Sequence, residues 1–120
     1  MMPGPRIRPA VLCSLLTALV LSGCKDEPPE QLVASAREYL SRHDTRTAII
    51  QAKNALQQKP DLAEARYLLA RALLETGDAA GAELEARKAM DLHYAADQAL
   101  PLLAKALVAE GKGDKAVDAL

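Results

Sequence analysis

Residues 63–89 read AEARYLLARALLETGDAAGAELEARKA. Apolar and small residues recur here at steps of three and four, the period of a helix with one buried face. Gly77-Asp78 interrupts that pattern. Glycine accepts the positive φ that ends a helix, and aspartate caps the next one. The stretch therefore predicts two helices joined by a tight turn. Sliding the sequence by 34 residues extends the pattern in both directions. Ala36, Ala70 and Ala104 fall in register, as do Ala48, Ala82 and Ala116, and Ala55 with Ala89. Tyr39, Leu73 and Leu107 align as larger apolar residues; Arg37, Arg71 and Lys105 as bases; Asp44 with Asp78; and Gly77 with Gly111. Self-similarity at this period marks a repeat array. Small side chains at fixed places let two helices cross closely, and the larger residue three positions after the first alanine fills the gap beside it. Enlarging Ala70 or Ala82 is expected to overpack the crossing by ~1–3 kcal/mol. Pro60, before Asp61-Leu62-Ala63, ends one hairpin and helps begin the next.

Composition agrees with an all-α reading. Half of the 120 residues are apolar, yet there is no Phe or Trp and only three Tyr. Alanine and leucine supply most of that half, whereas strands favour β-branched and aromatic residues. The net charge is −1. Without Arg6 and Arg8 the remaining chain has 13 basic and 16 acidic residues, or −3, which gives no general pull toward nucleic acid.

Arg6 and Arg8 lie in a segment of a different kind. Met1 to Pro9 carries these two bases and no acid, and Ala10 to Ser22 is almost wholly apolar. The run is too short for a spanning helix, which needs about 20 residues. A basic start followed by a short apolar run reads as a signal peptide, residues 1–23. It ends in Leu21-Ser22-Gly23-Cys24, which resembles the bacterial lipobox. That resemblance implies cleavage before Cys24 by the lipoprotein signal peptidase and acylation of Cys24, with Leu21, Ser22 and Gly23 as the recognition residues. Two or more acyl chains hold stably, at about 0.8 kcal/mol per buried methylene. An ordinary secretory signal with an unrelated cysteine and an uncleaved anchor are the other readings. Lys25 stands where many Gram-negative lipoproteins retained in the inner membrane have Asp, which points to the outer membrane, facing the periplasm. Residues 24–30 form the lipidated cysteine and a short polar tether.

Beyond the tether the boundaries are a first hairpin over 31–62, a second over 63–96, and an incomplete third over 97–120. This spacing resembles the tetratricopeptide repeat. In the second copy Leu69-Ala70 and then Leu73 fall where that family has a large apolar residue, a small one and an aromatic. The sequence departs from the family at Ala86, where an aromatic is usual, at Arg66, where Trp is frequent, and at Tyr94, where proline is expected. The resemblance implies an α-α solenoid, a right-handed superhelix of stacked hairpins. In such an array Leu107, Ala116, Val117 and Leu120 are expected to be left uncovered. That makes the chain the N-terminal piece of a longer array, or a chain paired with something else.

Residues 32–40, 48–57, 60–70 and 74–83 carry a closer resemblance, to the PrsT family of tetratricopeptide lipoproteins in the PEP-CTERM/exosortase (XrtA) system. It implies a role in envelope assembly, protein sorting or exopolysaccharide export and supplies no catalytic residue. A pilotin-like assembly lipoprotein for a secretin or type IV pilus is the alternative. An enzyme with its catalytic domain beyond Leu120 is a third reading.

No reaction centre is legible. His43 and His93 lie 50 positions apart at helix ends, without partners at metal-ligand spacing. Gly111-Lys112-Gly113-Asp114 lacks the upstream glycine and the following Ser or Thr of a phosphate loop. Ser14, Ser22, Ser35 and Ser41 have no base in pattern. The expectation is a non-enzyme without cofactor, metal or small-molecule substrate, whose partners are proteins or peptides. The first helix of each hairpin should line a concave groove, placing Arg37, Arg71 and Lys105 in a basic ladder with Tyr67, Leu40 and Leu74 beside it. Such a groove suits an extended acidic peptide or a C-terminal carboxylate. The competing reading is that these bases only pair with Glu38, Glu64 and Glu75 on nearby turns.

Overall fold

The structure, a computed structural model, describes residues 4–5 and 26–120. Leu21, Ser22, Gly23 and Cys24 lie outside the described residues. Six helices follow one another: α1 (Pro29–Ser41), α2 (Thr45–Gln58), α3 (Ala63–Glu75), α4 (Ala79–Asp91), α5 (Ala96–Ala109) and α6 (Gly113–Ala119). No strand occurs among the described residues. Each helix packs on the next. In addition α1 touches α3 and α3 touches α5, whereas α2, α4 and α6 do not meet one another. The first helices of the hairpins therefore sit closer together and form the inner side of a tetratricopeptide-like helical solenoid.

The turns repeat one backbone device. His43, Gly77, His93 and Gly111 all have positive φ, between 59° and 88°. At each, two bonds close the preceding helix, as in Asp78 N–H to the Leu73 carbonyl and Gly77 N–H to the Leu74 carbonyl. This is a Schellman ending. Histidine at such a position costs roughly 1–2 kcal/mol, which glycine avoids. His43, Gly77 and Gly111 are spaced by 34, so His43 takes the glycine slot of the first repeat. Asp44 and Asp78 then cap α2 and α4, accepting from the N–H groups of Thr47 and Gly81. Lys112 stands in the same register and caps α6 without its side chain.

The aligned alanines are the helix crossings. Ala36, Ala55, Ala70, Ala82 and Ala89 are fully buried, and Ala48 and Ala116 are nearly so. Ala48, Ala55, Leu69 and Ala36 join one core cluster across α1, α2 and α3. Ala70, Ala86, Leu102, Leu103, Leu107 and Ala116 form a second across α3 to α6. Leu73 is half-buried against the first cluster, and Ala104 half-buried against the second. One expectation is corrected. Leu107 and Ala116 are not left uncovered, because the short α6 folds back over α5 and brings Ala116 into one cluster with Leu107. Val117 and Leu120, on the far side of α6, are 75% and 77% exposed.

Arg66 explains one departure from the repeat pattern. Its Nη1 lies 2.8 Å from Oε2 of the buried Glu85, whose other oxygen meets Lys88 Nζ at 2.9 Å. Arg66 Nη2 also donates to the Pro60 carbonyl at 3.0 Å. A satisfied ion cluster therefore takes up the Arg66 side chain and holds the α2–α3 loop to α4. Removing Arg66 from the cluster leaves the buried Glu85 with the Lys88 ammonium as its one remaining partner in it.

Candidate interaction surface

Arg37, Tyr67, Arg71 and Lys105, the four groove residues named from the sequence, do not behave alike. Arg37 on α1 is exposed and reaches across to α3, where Nε donates to Glu64 Oε1 at 3.0 Å. The same guanidinium forms an ion pair with Glu64 through Nη2. Arg71 on α3 makes no ion pair among the described residues; its guanidinium stands 6.0 Å from the centre of the Tyr67 ring. That is the outer limit of a cation–π contact. Lys105 on α5 is exposed, also makes no ion pair among the described residues, and edges an open apolar cleft. The bases thus recur on α1, α3 and α5, but the first is neutralised and only the later two are free. Glu38 pairs with Arg42 rather than Arg37, and Glu75 accepts from the Thr45 hydroxyl at 2.9 Å.

Tyr94 is the residue the sequence reading did not bring here. It follows the positive-φ His93 in the α4–α5 turn, and its ring stacks on Tyr67 with centroids 4.5 Å apart and planes 19° apart. An offset stack of this kind contributes about 0.5–1.5 kcal/mol beyond burial. The Tyr94 hydroxyl lies 3.2 Å from Gln98 Oε1. Burial, then the nearby Glu64 and Tyr67, push its pKa above the ordinary value of 10.0. A 34-residue alignment gives Tyr94 no aromatic counterpart, since Pro60 and Asp26 stand in its register. The sequence signal was only that a tyrosine replaced the expected proline.

The outer side carries a second charged cluster. Glu83 lies 2.9 Å from both Arg87 and Lys112, and Lys112 also meets Glu110 at 3.1 Å. A hydrogen bond shared with the Glu110 carboxyl, then bonds to Lys112 and Arg87, hold the Glu83 carboxyl down to about 2. Its partners raise the Lys112 ammonium correspondingly. The cluster ties α4 to the α5–α6 turn. A polar cleft of about 520 Å³ lies at the other end, between the tether and α2, with Gln58 Nε2 donating to the Glu27 carbonyl at 2.9 Å. No group of three His, Cys, Asp or Glu side chains with metal-binding geometry occurs among the described residues. Nor is any helix among them long and apolar enough to cross a membrane.

A stack of helical hairpins with buried alanines at their crossings, Schellman endings and aspartate caps is now established. Residues 39–93, from the end of α1 to the end of α4, match the tetratricopeptide repeat family. Those residues, just under half of the 120, are similar to tetratricopeptide repeats. No curated protein matches it. Tetratricopeptide repeats are protein-interaction modules and typically do no chemistry of their own, so the chain is read as a scaffold that binds proteins.

Proposed function

We propose that the protein is a non-enzymatic scaffold, lipid-anchored in the bacterial envelope, whose inner tetratricopeptide side binds an acidic or carboxylate-bearing peptide. The observation that carries the binding reading is the free base Arg71 beside the Tyr67–Tyr94 stack, with the exposed Lys105 in its register on α5. An extended peptide can lay an apolar or aromatic group on the rings and an acid against the arginine. Arg37, paired with Glu64, takes no part unless the ligand displaces that carboxylate.

Anchoring rests on Leu21-Ser22-Gly23-Cys24 at the end of a short apolar run. Pro29, where α1 begins, follows Cys24 by five positions, so an acyl chain there keeps the array close to the bilayer. The likeness to the PrsT tetratricopeptide lipoproteins supports a place in exosortase-linked protein sorting or exopolysaccharide export at the periplasmic side of the outer membrane.

Two measurements test the proposal separately. Fluorescence anisotropy with a labelled acidic peptide ending in a free carboxylate should show saturable binding that weakens about tenfold in Arg71→Glu. Equal binding by the variant rejects the inner-side reading. Metabolic labelling with a radioactive fatty acid should mark the wild type and not Cys24→Ala, and an unlabelled wild type rejects the anchor.

A further inference from the structure

The outward side of the second helices changes character along the stack. On α2, Arg46, Ile50, Lys53 and Gln57 are spaced by four, three and four residues and form one exposed stripe, opposite the buried Ala48, Ala52 and Ala55. The 34-residue register repeats this stripe as Ala80, Leu84, Arg87 and Asp91 on α4, and as Asp114 and Asp118 on α6, all exposed. The outward stripe is thus basic on α2, mixed on α4 and acidic on α6.

The α2 stripe is also uncompensated. The helix holds two bases and no acid. Neither Arg46 nor Lys53 makes an ion pair among the described residues, whereas Arg87 on α4 is held by Glu83. The Asp44 carboxylate before Arg46 is taken up by the Thr47 N–H and hydroxyl. Ile50 stands between the two bases and is 52% exposed; Leu84, its register successor, is 54% exposed. One exposed aliphatic side chain is ordinary. An aliphatic side chain between two free bases is what a helix lying on an anionic bilayer presents, apolar atoms toward the acyl boundary and cations toward the phosphates. The tether reaches this same helix, where Gln58 Nε2 donates to the carbonyl of Glu27 at 2.9 Å. Glu27 follows Cys24 by three positions. The tether acids Asp26 and Glu27 lie with Gln51, Asn54 and Gln58 on the flank of α2, off the stripe.

We infer that the outward stripe of α2 lies on the anionic phospholipid surface to which Cys24 anchors the chain. The inference rests on the lipid anchor proposed above. Ile50 enters the headgroup layer, Arg46 and Lys53 meet lipid phosphates, and the acidic stripe of α6 keeps the far end of the stack off the bilayer. Each base near an anionic surface strengthens attachment by about fivefold. Two bases therefore orient a protein that is already anchored, and the inner side, opposite the stripe, stays open to a peptide.

The test uses the full-length lipidated protein with a dye attached at Gln57→Cys, within the stripe, or at Asp118→Cys, at its acidic end. Each is reconstituted in vesicles of phosphatidylcholine alone or with about one-third phosphatidylglycerol, both containing a lipid-borne quencher at headgroup depth. Quenching at position 57 should be several-fold greater in the anionic vesicles, and quenching at 118 should be small in both. Arg46→Glu with Lys53→Glu should abolish the difference, as should high salt. Arg71→Glu with Lys105→Glu changes the net charge equally on the inner side and should leave it intact. Equal quenching at 57 in the two vesicles, or equal loss with either pair of reversals, overturns the inference. Sedimentation reads the anchor separately. Protein that sediments with neither vesicle rejects the anchor and this inference with it. Protein that sediments with both while its dye at 57 stays unquenched overturns the docking alone, the result expected if the stripe binds an acidic protein instead.

Discussion

Ala70 and Ala104 occupy one register of the repeat but different surroundings, and substituting leucine at both isolates what the small side chain does. Ala70 is fully buried in a cluster with Ala86, Leu102, Leu103 and Leu107, where α3, α4 and α5 meet. Leucine adds three carbons to a site with no exposed surface, so either the helices separate or rotamers distort, at ~1–3 kcal/mol. For a domain of this size each kcal/mol shifts the melting midpoint by about 4–8 °C, so Ala70→Leu should lower it by roughly 10 °C. Ala104 is half-buried beside the apolar cleft. Leucine there finds room, and each methylene that it buries against Val108 contributes up to about 0.8 kcal/mol, less the slight loss of helix propensity. Ala104→Leu should leave the midpoint unchanged or raise it by a few degrees. Circular dichroism at 222 nm during heating, with urea titration as a second measure, distinguishes the two. Equal destabilisation at both positions would refute the reasoning, because the penalty would then belong to the residue type and not to the crossing.

The Asp78 carboxylate caps α4 by accepting from Gly81 N–H at 2.9 Å; Asp78→Ala should cost about 1 kcal/mol in urea unfolding. Gly77 has φ +88° and nothing within 4 Å of an added Cβ, so Gly77→Ala should also cost roughly 1 kcal/mol, from torsion alone. Glu83 is held down to about 2. A carboxyl depressed in the folded state lends stability that is fully present above its unfolded value near 4.3 and is lost as pH falls toward 2. Glu83→Gln should therefore flatten the fall in melting midpoint between pH 4.5 and pH 2.5 seen in the wild type. Tyr94 is raised above 10.0. Above pH 10 the unfolded chain releases that proton first, so stability should fall there. Absorbance at 295 nm should show one phenol ionising late, and Tyr94→Phe should remove it.

Much of the solenoid was legible because its determinants are local and periodic. Alanines at a fixed interval, a turn residue between the two helices of each hairpin and, in the first two hairpins, an aspartate after it define a hairpin before any tertiary contact is known. The inner side was less legible, because pairing across hairpins depends on which partner lies at the right height. Arg37, Arg71 and Lys105 look equivalent in sequence. Only the first has an acid, Glu64, one helix away; the same register on α5 holds Gln98, which cannot neutralise Arg71. His43 was legible as a turn residue but not as the glycine equivalent, since sequence identity at that slot is broken while backbone geometry is kept.

The absence of large aromatics from the crossings has a physical consequence for how the protein holds together. Buried alanines contribute little area each, so close helix approach must be supplemented by specific polar ties. The structure shows three of them: Arg37 to Glu64 from α1 to α3, Arg66 to Glu85 from α3 to α4, and Lys112 to Glu83 from the α5–α6 turn back to α4. The first is exposed and screened by salt, so it contributes at most about 1 kcal/mol. The second is largely buried, so removing Arg66 costs more than breaking an exposed pair, although Lys88 still meets Glu85. The order of those magnitudes makes Arg66→Ala more damaging than Arg37→Ala, although both remove an arginine facing a glutamate. Salt should narrow the small effect of Arg37→Ala and leave that of Arg66→Ala nearly unchanged. If the two variants unfold alike at low and high salt, the buried Arg66–Glu85 pair is not a stronger tie than the exposed Arg37–Glu64 pair.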